Sequence, residues 1–246
     1  MTNTPIRQTG THFWISDLHL FARRSIGDRY RDDILAAAAS ADTFVLGGDI
    51  FDFVWTTRDS IAESVDEAAD WLQSLVEHAP NCQFHFLLGN HDCYEPFVKR
   101  LAELAKSITN FSWHPFVLRL GDSVFLHGDV ADRSMDAAGL AVRRERHNKR
   151  EKKKPWLHTL YDLVVAVRLH NIACVLVYPK FIVARRILEY LDRIDCGPKT
   201  GVQDVYFGHT HVAMLDYEYH GVRFHNGGAP LKGVSFQFLK PVIKLP

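Results

Sequence analysis

The sequence predicts an α/β fold in layers, with a largely buried sheet, and three observations lead to this class. Short apolar segments alternate with amphipathic segments over residues 1–128, which is typical of strands and helices stacked in layers. A strand pattern returns from residue 204. Between them, residues 130–200 are basic, helical in pattern and in parts strongly apolar. The simplest organisation is one domain over 1–246 that contains a helical insertion at about 132–199.

The elements of the first half follow from periodicity and capping. In chain order we predict strand 12–16, helix 31–40, strand 42–49, helix 60–78, strand 83–89 and helix 95–107. The second helix has the strongest start signal, because Ser60 and Glu63 form a capping-box pattern. After residue 115, two apolar segments flank Gly121-Asp122 and predict a hairpin. After the insertion, segments 204–208, 214–221, 222–228 and 234–245 again have a strand pattern.

Composition limits the classes of function. Apolar residues make up 47% of the chain, and Lys plus Arg equals Asp plus Glu at 29 each, so no global field favours nucleic acid. The four cysteines show no Cys-x-x-Cys spacing and are expected to be free thiols in a reducing compartment. We see no signal peptide, and no apolar run approaches the roughly 18 residues of a spanning helix. These observations predict a cytoplasmic protein.

Ligand-type side chains follow five of the predicted strands. They are Asp17, His19, Asp49, Asn90, His127, His209 and His211. An isolated Asp is usually a turn residue, and an isolated His is usually a packed or surface residue. In α/β sheets, however, ligands bind beyond the carboxyl ends of the strands, so this repetition at five strand ends indicates one shared site.

The chemistry of this set indicates divalent metal. Carboxylate, imidazole and amide ligands suit Mn²⁺, Fe²⁺ or Zn²⁺, and the lack of Cys argues against a structural zinc site. Seven candidates exceed the needs of one ion. Two ions that share one bridging carboxylate fit the count, and such a pair activates water and binds a phosphoryl group.

The ordered motifs resemble those of the calcineurin-like metallophosphoesterases. They are "DLH", "GGD", "GNHD", "HGD" and "GHTH", between residues 17 and 211. The resemblance implies a two-sheet β sandwich flanked by helices. It assigns Asp17, His19, Asp49 and His211 to one metal ion. It assigns Asp49, Asn90, His127 and His209 to the other, with Asp49 bridging. It makes His91 the catalytic residue that faces the phosphate, and we expect Asp92 to orient His91.

Within this family, the chain resembles the UDP-2,3-diacylglucosamine pyrophosphatases of lipid A synthesis. The similarity covers "ISDLHL", the distances between the motifs and the insertion, which in that subfamily is a lid over a lipid. It implies hydrolysis of the pyrophosphate of an acylated UDP-sugar with two metal ions, Mn²⁺ or alternatively Fe or Zn. It also implies peripheral contact with an anionic membrane, at its inner face.

The insertion fits this prediction but allows others. Residues 143–154 hold eight Lys or Arg against two Glu, and 155–191 are rich in bulky apolar residues. This composition suits an anionic, acylated substrate or a membrane surface. It also suits a solvated basic helix beside an ordinary helical core. Another phosphoesterase specificity (phosphodiester, nucleotide or phosphoprotein) stays open, since the subfamily has Arg at the position of His91. A non-catalytic scaffold is disfavoured because no ligand is missing.

Overall fold

Two sheets form the framework of the computed structural model, which describes residues 10–149, 151–154, 156–158 and 176–244. The first sheet has four parallel strands in sequential order: β1 (His12–Ile15), β2 (Thr43–Leu46), β3 (Gln83–Leu87) and β4 (Phe111–His114). The second is mixed, in the order β5-β6-β7-β9-β8. Its strands are β5 (Val117–Leu120), β6 (Ser123–Leu126), β7 (Asp204–Phe207), β8 (Met214–Tyr219) and β9 (Val222–Asn226). The predicted two-sheet fold class is confirmed.

Five α-helices have both ends within the described ranges, besides three short 3-10 helices. They are α1 (Arg31–Ser40), α2 (Ile61–His78), α3 (Glu95–Ser107), α4 (Ala137–Asn148) and α5 (Lys180–Arg193). The first three match the predicted helices to within one residue. The start of α2 is fixed as predicted, because the Ser60 hydroxyl accepts a hydrogen bond from the Glu63 N–H at 3.0 Å.

Aromatic side chains make up much of the core. On the helix-covered face of the first sheet, Phe44, Phe84 and Phe86 are fully buried in one apolar cluster. Between the sheets, Trp14 packs on Phe125 with ring centroids 5.7 Å apart. Each such ring contributes about 1.5–3 kcal/mol through burial, so these rings stabilise the framework below the strand ends.

Two segments differ from the predictions. The strand β4 was not predicted, because its four residues "FSWH" are too short to show a period. Residues 234–245 have a strand pattern, yet their described part makes only isolated bridges, such as Leu239 with Trp14 of β1. Pro241, two residues further on, has no N–H, so it cannot extend this bridge into a ladder.

The predicted insertion at 132–199 is described only in part. Residues 150, 155 and 159–175 of this prediction lie outside the described residues. Helix α5 buries Val183, Ile187 and Leu191 in the cluster that covers the second sheet, so this helix is part of the domain's core. Among the helices that the structure describes, none has the length and apolarity needed to span a membrane.

Candidate metal centre

The seven predicted ligand residues come together at one edge of the sandwich. They follow β1, β2, β3, β6 and β7, and the pairs β1–β2, β2–β3 and β6–β7 are parallel, so these strand ends share an edge. Among the described residues, three groups of possible metal ligands form there. Two consist of predicted ligands: one contains Asp17, His19 and His211, and the other contains Asp49, His127 and His209. The third contains His19 with Asp52 and His91.

The first group consists of nitrogen and oxygen atoms whose lone pairs one bound cation could accept together. The Nε2 atoms of His19 and His211 are 3.0 Å apart, and Oδ1 of Asp17 lies 3.5 Å from the same atom of His211. Oδ2 of Asp49 lies 4.0 Å from His19 Nε2. An unprotonated ring nitrogen is an acceptor, as is a carboxylate, so these atoms need a proton or a metal ion between them. The donor set therefore fits a divalent ion.

The second group contains Asp49 again, together with an imidazole of fixed tautomer. Nε2 of His127 lies 3.3 Å from Asp49 Oδ2 and 3.2 Å from Asn90 Oδ1. Its Nδ1 lies 3.1 Å from the carbonyl oxygen of Gly47. A carbonyl only accepts, so Nδ1 carries a proton, and Nε2 is the nitrogen that a metal ion would bind in exchange for the proton that Asp49 favours there. Asp49 lies within reach of both groups, as a bridging ligand must.

Backbone conformation also marks these residues. Five of the seven adopt left-handed φ angles, which are uncommon outside glycine. They are Asp17 (55°), His19 (48°), Asp49 (52°), His209 (66°) and His211 (57°). Such conformations persist only where the surroundings impose them, and they concentrate at functional sites.

Glycines allow the loops to approach the carboxylates closely. A Cβ added at Gly89 would lie 2.2 Å from Asp49 Oδ1, and one at Gly208 would lie 2.2 Å from Asp17 Oδ2. The His91 N–H donates to Asp49 Oδ1 at 2.7 Å, which fixes that carboxylate in place. Side chains at either glycine position would displace a predicted ligand.

The residue that faces His91 is Asp52, and the prediction that Asp92 orients His91 is wrong. Oδ1 of Asp52 lies 3.0 Å from His91 Nδ1, an ion-pair contact whose angle falls short of an aligned hydrogen bond. Asp92 instead accepts the N–H groups of Gly89 at 2.6 Å and Ile50 at 2.9 Å, and so ties together the loops after β2 and β3.

Asp52 was missed in the sequence, although it stands three residues after Asp49 in "GDIFD". It is fully buried and also accepts a hydrogen bond from Arg24 at 2.8 Å. Its Oδ2 lies 3.4 Å from Nδ1 of His19. A second acidic residue after a strand was the available signal, but only the folded loop shows which imidazoles it contacts.

The buried charges shift the pKa values of the site. Burial opposes ionisation of Asp49, but His127 and His91 outweigh it and hold the pKa of Asp49 well below its usual value. Burial likewise opposes the imidazolium form of His91, yet Asp52 and Asp49 raise its pKa. Burial lowers the pKa of His19 to about 4. Ionised carboxylates concentrated in a buried pocket favour bound cations.

The basic stretch at 143–154 is partly structural. Arg144 is buried and forms a double hydrogen bond with Asp129, at 2.9 Å to each carboxylate oxygen, so this member of the stretch pairs with the core and does not face an anionic substrate. The end of α4 nevertheless lies beside the metal-ligand groups. There His147 approaches His91, with ring centroids 6.4 Å apart.

Together, the sandwich, the strand-end ligands and the paired groups define a metal-dependent hydrolase. The chain belongs to the calcineurin-like phosphoesterase family, whose model matches residues 13–213, and it is a metal-dependent phosphoesterase. A dimetal phosphatase from Danio rerio is structurally similar over 93% of this chain and 91% of that chain, with 12% identity and a TM-score of 0.46. No curated protein matches the chain.

Proposed function

We propose that the chain is a di-metal phosphoester hydrolase with Asp49 as the shared ligand. One ion would be held by Asp17, His19, Asp49 and His211, and the other by Asp49, Asn90, His127 and His209. The observation that carries this proposal is the position of Asp49 between two groups of ligand atoms, at 4.0 Å from His19 and 3.3 Å from His127. The oxygen and imidazole donors suit Mn²⁺, with Fe²⁺ or Zn²⁺ as alternatives.

The chain's own residues would orient the substrate and move a proton. When bound, the two metal ions would supply positive charge for the phosphoryl oxygens and an activated water. His91 is the proposed catalytic residue, and its side chain is 18% exposed, enough to meet a substrate. Asp52 faces Nδ1 and favours a proton there, and the raised pKa of His91 favours a second proton on Nε2. That Nε2–H would stabilise the phosphoryl charge or pass its proton to the leaving oxygen.

For the substrate, we propose the pyrophosphate of an acylated UDP-sugar, with residues about 132–199 as a lid. Four large apolar side chains in this range are exposed by more than half, as an acyl-binding surface requires. They are Trp156 (62%), Leu176 (73%), Val177 (60%) and Phe181 (54%). The same surface would permit peripheral contact of a cytoplasmic protein with the anionic inner face of a membrane. Each buried CH₂ of an acyl chain gains about 0.8 kcal/mol.

Elemental analysis of matched variants tests the metal assignment. Asp49→Ala should lose both ions and activity. His91→Ala should keep both ions while turnover falls by about 10²–10⁴-fold, the usual contribution of a positioned acid or base. His220→Ala is the control, because His220 lies in the exposed turn between β8 and β9. Equal metal content in the Asp49 and His91 variants would contradict this division of roles.

A substrate series tests the lipid assignment separately. Hydrolysis should be compared for UDP-sugars with long, short and no acyl chains, alongside simple phosphodiesters and nucleotides. We expect efficiency to rise steeply with chain length and to fall in Phe181→Ser. Val242→Ser is the control, because Val242 is 66% exposed but lies outside the insertion. Equal efficiency along the series would contradict the lipid assignment and indicate a phosphoesterase of another specificity.

A further inference from the structure

Asp132 lies beside the metal centre at the start of the predicted insertion, and the sequence motifs assign it no role. Its Oδ1 lies 2.8 Å from Nε2 of His209. The same oxygen accepts the hydroxyl of Tyr178 at 2.6 Å, and Oδ2 accepts the guanidinium of Arg143. Its main-chain carbonyl accepts Arg186 at 2.8 Å. Residues from three parts of the insertion therefore converge on Asp132, two of them on its side chain, which also contacts a proposed ligand.

The contact with His209 constrains the imidazole. An ionised carboxylate only accepts hydrogen bonds, so the nitrogen that faces it carries the proton. With Nε2 protonated, the lone pair of His209 is at Nδ1, which is then the atom available to a metal ion. His127, 5.2 Å away between ring centroids, has the opposite tautomer because its Nδ1 faces a carbonyl.

We propose that Asp132 is a positioning residue of the metal centre. It holds the Nε2 proton of His209, so that Nδ1 is offered to the ion, and Tyr178 and Arg143 hold Asp132. The insertion is thereby coupled to the ion that His209 binds. This inference rests on the proposed function, since it takes His209 as a ligand.

The three variants should weaken metal binding to different degrees. Loss of a carboxylate that orients a metal-binding histidine typically lowers metal affinity by about 10–100-fold. Asp132→Ala should show this loss for one ion and leave the other ion's affinity unchanged. Asp132→Asn should retain more affinity, because its amide oxygen can still accept from His209. Tyr178→Phe removes one of the hydrogen bonds that hold Asp132 and should have the smallest effect.

Calorimetric titration of the full chain with Mn²⁺ and Zn²⁺ measures the two affinities. The matched control is Asp136→Asn, which alters the carboxylate that caps α4 by accepting the Gly139 N–H at 2.8 Å and is not one of the proposed ligands. Nitrogen-15 spectra of the imidazoles, recorded with Zn²⁺, report which nitrogen of His209 is protonated. If Asp132 has only a structural role, its substitution should leave that tautomer unchanged.

The outcomes separate the two proposals. Selective weakening of one ion in Asp132→Ala, with a changed His209 tautomer, supports the positioning role. Two ions bound with wild-type affinity by both Asp132 variants would overturn it while leaving the di-metal proposal intact. Fewer than two ions in the unaltered chain, or an unaffected ion content in His209→Ala, would instead overturn the proposed function.

Discussion

The ion pair between Arg144 and Asp129 offers the sharpest test of how the basic stretch is used. Arg144→Met removes the guanidinium and leaves a carboxylate that is 1% exposed without its hydrogen-bonded partner. Burial opposes the ionised form of Asp129, and Arg144 outweighs it, which lowers the pKa of Asp129 to about 2. The same guanidinium donates to the Pro115 carbonyl and lies over the ring of Phe116. Several contacts are therefore lost at once.

The magnitude follows from burial. Removing one partner of a buried ion pair costs about 3–5 kcal/mol. For a chain of this size, 1 kcal/mol corresponds to a shift of about 2–4 °C in Tm, so Tm should fall by roughly 6–20 °C. Lys149→Met is the control, since it breaks a solvent-screened pair with Glu145 (2.7 Å) on the surface and should leave Tm nearly unchanged.

Urea denaturation and thermal melts of both variants measure the difference. The double variant Asp129→Asn with Arg144→Met should recover part of the loss, because no unpaired charge is then buried. If Arg144→Met is no less stable than Lys149→Met and only KM for an anionic substrate rises, the structural assignment is refuted. Arg144 would then belong to substrate binding.

Three further predictions concern the metal centre and the sheet beneath it. Asp52→Asn should lower turnover by about 10–100-fold, because it removes the charge that faces both His91 and the proposed ligand His19, and elemental analysis measures how much of this loss comes from weaker metal binding; wild-type turnover would contradict this. Gly89→Ala should reduce bound metal in the same analysis, since the new Cβ would meet Asp49 Oδ1 at 2.2 Å, and full metal content would show that the loop adapts. Burial, and secondarily a neighbouring histidine, lowers the pKa of His85 from 6.5 to about 4. Between these pH values the unfolded chain binds a proton that the folded chain does not. The free energy of unfolding should therefore decrease as the pH is lowered from 6.5 to about 4. Urea titrations of His85→Gln should show a shallower fall, and identical slopes would refute the assignment.

The sequence was informative where local pattern and position suffice. Each proposed ligand follows a strand, and a strand's direction in a parallel sheet determines which edge its last residue reaches. For this reason Asp17, Asp49 and His127 could be expected near one another before the loops were known. The helices were also predictable, because caps such as Ser60 and an apolar stripe act within one segment.

The partners of charged side chains that are far apart in the sequence could not be predicted from local pattern. Asp52 and Asp92 each stand near a ligand in the sequence, and either could have faced His91. The choice depends on how the left-handed residue Asp49 redirects the chain after β2. Arg144 likewise has the same immediate sequence context as its exposed neighbours. Its burial is set by Asp129, which arrives from the end of β6.

The left-handed residues connect the fold to the site. Five strained conformations, at about 1–3 kcal/mol each, would cost an amount comparable to the net stability of a typical domain. Asp and His adopt this region more readily than most residues, which lowers the cost without removing it. Main-chain bonds hold two of these residues in place, from Asp17 N–H to Gly48 O at 3.0 Å and from His19 N–H to Asp49 O at 2.9 Å. A chain selected for stability alone would place glycine at such positions. Asp195, Asp216 and His220 adopt the same region outside the ligand groups, so the conformation alone does not identify a site. At the five positions described here, the side chains also contribute to two groups of ligand atoms that meet at Asp49, which gives a physical reason to keep carboxylates and imidazoles there.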